Sequence, residues 1–113
     1  MPYIDLKTTA KITAESEETL RKEFGKIITL IPGKTEAWLM LNFDDECRMA
    51  FAADFSPTAI LEVKLFGAAD ERSYENLTRS LTDIINAELS IPKNRIYIKY
   101  EEITTWGYGG ENF

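Results

Sequence analysis

An apolar stripe that returns at a fixed distance constrains this chain more than any single residue does. Between positions 20 and 31 the apolar side chains fall at Leu20, Phe24, Ile27, Ile28 and Ile31, the spacing of a helix buried along one face. Leu77, Leu81, Ile84 and Ile85 repeat the first four of these at an offset of 57 residues, and Leu89 extends the second stripe. The same offset carries Ile4-Asp5-Leu6-Lys7 onto Leu61-Glu62-Val63-Lys64, and Leu39, Leu41 and Phe43 onto Ile96, Ile98 and Tyr100. These flanking segments alternate with period two and read as strands. The chain is thus β-α-β twice, a pseudo-repeat of residues 2–43 and 59–100 within one domain spanning 1–113.

Local chemistry sets the boundaries. Thr13 or Ser16 can cap the first helix, and Pro32-Gly33 stops it, because proline cannot continue a helix and glycine accepts the left-handed C-terminal conformation. Pro92-Lys93-Asn94 is expected to do the same after the second. Arg48 to Ala52 reads as a short extra strand reached through a hairpin-like turn, and Ser56-Pro57 closes the first unit. Right-handed crossovers place both helices on one face of a four-stranded sheet. The fold class is α/β, or α+β in some schemes, in two layers.

Period-two counting gives the opposite sheet face Asp5, Trp38, Met40, Glu62, Lys64, Arg95, Tyr97 and Lys99. That mixture is neither a core nor an ordinary surface. Large side chains there favour cover by a second copy, each gaining roughly 1.5 to 3 kcal/mol on burial. A homo-oligomer is the expectation, and the alternative is that the aromatic segment from Thr104 to Phe113 folds back over the face.

Composition narrows the chemistry. Thirteen basic and 19 acidic residues give a net charge of −6, which repels phosphate backbones and anionic membranes, so neither nucleic acid nor membrane is an expected partner. There is no histidine and only one cysteine, Cys47, which removes the usual soft-metal ligand sets and any internal disulfide. No cofactor or metal is implied. No leader or apolar span is evident, and the default compartment is the cytosol. In such a chain a proton acceptor is scarce. Met1-Pro2 offers one, since removal of Met1 leaves a secondary amine at the head of a strand.

Met1-Pro2, Gly33-Lys34, Met49-Ala50-Phe51, Ser56-Pro57, Phe66-Gly67 and Asn94-Arg95-Ile96-Tyr97-Ile98-Lys99-Tyr100 together resemble the macrophage migration inhibitory factor family of the tautomerase superfamily. The resemblance spans nearly the whole chain. It implies a homotrimer in which edge strands of one subunit extend the sheet of the next, with a pocket at each subunit boundary. It also implies keto–enol tautomerisation of phenylpyruvate-like aryl keto acids. Pro2 is then the catalytic acid and base, Lys34 grips the substrate carboxylate, the backbone N–H of Phe66 faces the substrate, and Tyr97 arrives from the neighbouring subunit. Trp38, Trp106, Tyr108 and Phe113 correspond to an aromatic rim, the last three across an alignment gap.

Elementary chemistry supports these roles. A general base works best with its pKa near the working pH, and burial beside a cation such as Lys34 favours the neutral amine. Aromatic walls exclude water and strengthen the attraction between Lys34 and a carboxylate. Taken singly, Lys34 reads equally as a solvated turn lysine, Tyr97 as a sheet or interface residue, and Trp38 or Phe113 as packing.

Two departures stand out. Lys99 replaces an asparagine common in relatives and points to the same side as Tyr97, so it is a candidate second cation for a substrate carboxylate or a developing enolate. Thr58-Ala59-Ile60-Leu61 replaces the Cys-x-x-Cys motif of some relatives, which removes its thiol redox chemistry. Two further functions follow from the resemblance: a cytokine-like protein that engages the invariant-chain receptor on host cells, secreted without a signal peptide, and an isomerase of unsaturated carboxylates. A retained Met1 would turn the Pro2 nitrogen into a tertiary amide with no basic lone pair.

Overall fold

The computed structural model describes residues 1–113, in which strands β1 (Pro2–Thr8), β2 (Met40–Asp44), β3 (Ala59–Phe66) and β4 (Ile96–Ile103) form a single sheet in the order β2-β1-β3-β4. Helix α1 (Ala14–Ile27) connects β1 to the parallel β2, and α2 (Glu71–Leu89) connects β3 to the parallel β4. The central pair, β1 and β3, is antiparallel, from Pro2 opposite Leu65 to Thr8 opposite Ala59. A short hairpin, β5 (Gly107–Tyr108) and β6 (Glu111–Asn112), ends the chain.

The 57-residue repeat is structural. The first residues of β1 and β3, of α1 and α2, and the N-caps Thr13 and Asp70 all stand at that offset. Thr13 accepts from the Ser16 N–H at 3.1 Å, and Asp70 accepts from the Ser73 N–H at 3.3 Å. Each bond satisfies a donor that the first helical turn leaves free.

Both helices cover one sheet face. Ile4 and Leu6 of β1, Leu61, Val63 and Leu65 of β3, Leu20 and Phe24 of α1, and Leu77, Leu81 and Ile85 of α2 are all buried in one cluster. The two apolar stripes face each other across it, which is the burial that the periodicity demands. Tyr3, Asp5 and Lys7 alternate to the uncovered face beside Met40, Asn42, Glu62, Lys64, Tyr97 and Lys99.

The structure corrects four expectations. Arg48–Ala52 is not a strand: the segment makes only an isolated bridge between Phe51 and Asp54, and Ala52 and Ala53 have φ of 53° and 64°, outside any extended conformation. Trp38 and Arg95 precede their strands in 3-10 turns, Glu36–Trp38 and Lys93–Arg95, so strand alternation does not govern them. The second helix is stopped by Ser90 in the left-handed conformation with φ 57°, two residues before Pro92. The C-terminal hairpin does fold back, yet Met40 and Tyr97 remain 68% and 59% exposed, so it covers only part of the open face.

Candidate active site

The N-terminal end of β1 is the floor of the site. Pro2 is buried, opposite Leu65 and next to Phe66 at the end of β3. Proline is suited to this first strand position because its missing N–H removes no ladder bond that the strand requires. Around it lies an open cleft of about 760 Å³, lined on one side by Met1, Pro2 and Tyr3 and on the other by Trp38, Trp106 and Tyr108. Its walls are mostly apolar, as in sites that bind small organic ligands.

Lys34 reaches this end by backbone design. Gly33 takes a φ of 82°, a left-handed conformation that a side chain would strain, and the Lys34 N–H donates to the Ile31 carbonyl at 3.1 Å. The turn sends the Lys34 ammonium across to β3, where it donates to the Phe66 carbonyl at 2.7 Å. It also neighbours the Met1 amine. Burial and then the hydrogen bond and charge of Lys34 push that amine down from 8.0 to about 6. The site therefore suppresses protonation of an amine at its mouth.

Phe66 differs from expectation while Met1 is attached. Its N–H donates to the Met1 carbonyl at 3.1 Å, so this donor is engaged by the chain itself. Its ring packs on Phe113 at 5.9 Å between centroids, and Phe113 in turn stacks on Tyr108 at 6.3 Å. Tyr108 meets Trp38 edge-on at 5.1 Å, and the Phe113 N–H donates to the Trp106 carbonyl at 2.8 Å. Pro2, Lys34, Phe66, Trp38, Trp106, Tyr108 and Phe113 are thus gathered at one end of one chain.

Tyr97 and Lys99 are not among them. Tyr97 pairs with Ile60 whereas Pro2 pairs with Leu65, which separates them by about 17 Å along the strand direction alone. The Tyr97 ring lies instead at the opposite end of the sheet, tilted against Phe51 at 4.8 Å. Lys99 does share the Tyr97 face, but its ammonium contacts Glu101 at 3.0 Å and Glu62 at 3.3 Å. Those two carboxylates, Glu101 first, hold its pKa above the usual lysine value. Its positive charge is already balanced within the chain.

Sequence reasoning missed Tyr3 and Met40 as cleft residues, although the alternation that exposes Met40 also gives Tyr3 the same side. It also missed Thr105 and Gly107, which no periodicity marks.

Comparison with known proteins agrees with this fold. The family model described as macrophage migration inhibitory factor (MIF) matches residues 1–112. A macrophage migration inhibitory factor homolog of Brugia malayi is 25% identical over 115 positions, covering 100% of this chain and 99% of the relative. The Xenopus laevis macrophage migration inhibitory factor is 26% identical over 116 positions, with coverage of 100% and 99%. Among solved structures, Leishmania major MIF2 superposes with a TM-score of 0.93 at 26% identity, covering 100% of this chain and 97% of the other. The homologue from Prochlorococcus marinus gives a TM-score of 0.89 at 28% identity, covering 98% of each chain. With the repeat, the sheet order and this coverage in agreement, the chain belongs to the macrophage migration inhibitory factor family of the tautomerase superfamily.

Proposed function

We propose that the protein, once Met1 is removed, is a keto–enol tautomerase of phenylpyruvate-like aryl keto acids with Pro2 as its acid and base. The observation that carries this reading is the meeting of buried Pro2, the Lys34 ammonium on the Phe66 carbonyl and the aromatic cleft at one end of β1, where burial and Lys34 lower the pKa of the Met1 amine. Excision of Met1 would convert the Pro2 nitrogen from an amide into a secondary amine. It would also free the Phe66 N–H for the substrate.

The substrate carboxylate pairs with Lys34, and the aryl group lies among Trp38, Trp106 and Tyr108. The Pro2 nitrogen takes a proton from the carbon between ring and carbonyl. The electron pair of that C–H bond forms the carbon–carbon double bond, the carbonyl oxygen becomes the enol hydroxyl by accepting a proton from water at the cleft mouth, and protonated Pro2 returns its proton to that solvent. In the reverse direction protonated Pro2 returns the proton to carbon, so no electrons are gained or lost overall. Apolar walls strengthen the Lys34–carboxylate attraction by excluding water. Lys99 is not given a carboxylate to bind, because Glu101 and Glu62 already occupy it.

The acting form is a homotrimer, in which the cleft of one copy is completed by Tyr97 of the next. Exposed Met40 and Tyr97 on the uncovered face, and exposed Trp38 in the 3-10 turn before β2, support association, since each presents a large apolar surface.

The test is a phenylpyruvate tautomerase assay on protein whose intact mass shows that Met1 is absent. Replacing Pro2→Gly is expected to lower kcat/KM by about 10² or more, the usual range for a general base. Lys34→Ala is expected chiefly to raise KM. Activity unchanged in both variants would exclude this mechanism.

A further inference from the structure

Arg95 has no role in the cleft described above, yet it is among the most heavily engaged side chains in the molecule. Its guanidinium donates to the carbonyls of Pro57 at 3.0 Å, Phe51 at 3.1 Å and Ser56 at 3.1 Å, with a longer contact to the Asp54 carbonyl at 3.5 Å. It also pairs with the Asp54 carboxylate at 3.0 Å. The side chain is only 13% exposed although it stands in a short surface turn. One arginine thereby gathers four carbonyls from a single loop, something its planar fork of donors can do and a lysine cannot.

The loop it gathers is strained. Phe51 and Asp54 exchange backbone bonds of 2.9 Å and 3.1 Å around Ala52 and Ala53, which both adopt a positive φ that glycine would take far more readily. Nothing in the core requires this turn, since Phe51 and its neighbours lie outside the buried cluster. Its effect is to hold the Phe51 ring in place. The Arg95 guanidinium lies 5.2 Å from the Phe51 ring centre on one side, and Tyr97 packs on the same ring at 4.8 Å. Thr58 completes the link by donating its hydroxyl to the Arg95 carbonyl at 2.7 Å.

We infer that Arg95 is a positioning residue, which clamps the loop from Phe51 to Pro57 so that the Phe51 ring fixes the orientation of Tyr97. Tyr97 has 59% of its surface exposed, and without a neighbour on one side its ring would sample several rotamers. A ring held in one orientation before docking contributes to a second copy's cleft without the ordering cost of a free side chain. The catalytic consequence rests on the proposed role of Tyr97 in that cleft, whereas the clamp itself does not.

The experiment replaces Arg95→Lys, which keeps the charge and removes the fork, in Met1-free protein. Aromatic NMR reads the contact between the Phe51 and Tyr97 rings and the ring-current shift of Tyr97, and phenylpyruvate kinetics are measured on the same sample. The expected result is loss of the ring contact together with a KM raised about tenfold and kcat changed less than about threefold. Retention of the Phe51–Tyr97 contact in the variant would overturn the clamp, whereas loss of the contact with KM unchanged would overturn its catalytic consequence. If the parent protein turns over no phenylpyruvate, the proposed activity fails, and the ring contact alone still decides the role of Arg95.

Discussion

Asp5 is only 7% exposed in the middle of the uncovered sheet face because donors from two neighbouring positions reach it. Asn42 donates its amide at 2.9 Å, and the Lys7 ammonium forms a close ion pair. Burial pushes the Asp5 pKa up, but the bonds from Lys7 and Asn42 outweigh it and leave the carboxyl below its ordinary value. A carboxylate whose pKa is depressed by folding stabilises the fold above its unfolded pKa, and that contribution disappears as pH falls through the folded value. Asp5→Ala should therefore cost about 1–3 kcal/mol at neutral pH, and its deficit against the parent should shrink on acidification towards pH 3. Urea titrations at the two pH values check this; a deficit independent of pH would contradict it. The face occupied by Asp5 was legible in the alternation of β1. Its burial was not, because that depends on which residues β2 places beside it. Lys34 teaches the same lesson: the Gly33-Lys34 pair is visible in the sequence, but the reach to the Phe66 carbonyl depends on how far the following turn carries it. Lys99 was legible as a cation on the Tyr97 side, but Glu62 lies on another strand and only the β3–β4 register brings it opposite.

Each helix carries its own start signal and a less obvious stop. Asp70 caps α2 through the Ser73 N–H, and its pKa is lowered first by the side-chain bond from Ser73. Ser90 ends the helix in a left-handed conformation, its N–H donating to the Asn86 carbonyl at 3.1 Å, while the Asn86 amide donates to the Ile91 carbonyl at 2.8 Å. A non-glycine residue in that conformation carries a steric penalty of roughly 1 kcal/mol, which glycine avoids. Ser90→Gly should raise the midpoint of thermal unfolding, and Asp70→Ala should lower stability by about 1 kcal/mol. Differential scanning calorimetry of the two variants checks both signs. The periodic elements were the legible part of this fold, because a helix or strand buried on one face must repeat its apolar residues. The segment from Arg48 to Ala52 was not legible. Its composition suits a strand, but no neighbouring edge pairs with it, and the Arg95 guanidinium bends it into a turn from 44 positions away. Trp38 was misplaced for a related reason: the 3-10 turn that holds it interrupts the alternation on which its side was counted.

At the scale of the molecule, the sheet is finished on one side and unfinished on the other. The helices bury the middle of the first face, with Leu41, Phe43, Ile98 and Tyr100 partly covered at its edges, whereas Met40 and Tyr97 leave the second with large side chains in water. The two ends of that open face hold different halves of the proposed chemistry. Pro2 and Lys34 lie at one end with the aromatic cleft, and Tyr97 lies at the other with its Arg95 clamp. One chain cannot bring these ends together; the proposed homotrimer would. The repeat made the fold legible, but the site proposed to be shared between copies would leave no periodic trace within one sequence. The proposed chemistry requires that burial and Lys34 keep the first nitrogen of the processed chain neutral near physiological pH. Titration of the Pro2 nitrogen by 15N NMR in Met1-free protein tests it most directly. The expected result is a pKa well below the value of about 8 typical of a free N-terminal amine, rising when Lys34 is replaced by alanine. A pKa at or above 8 that does not respond to Lys34→Ala would contradict it.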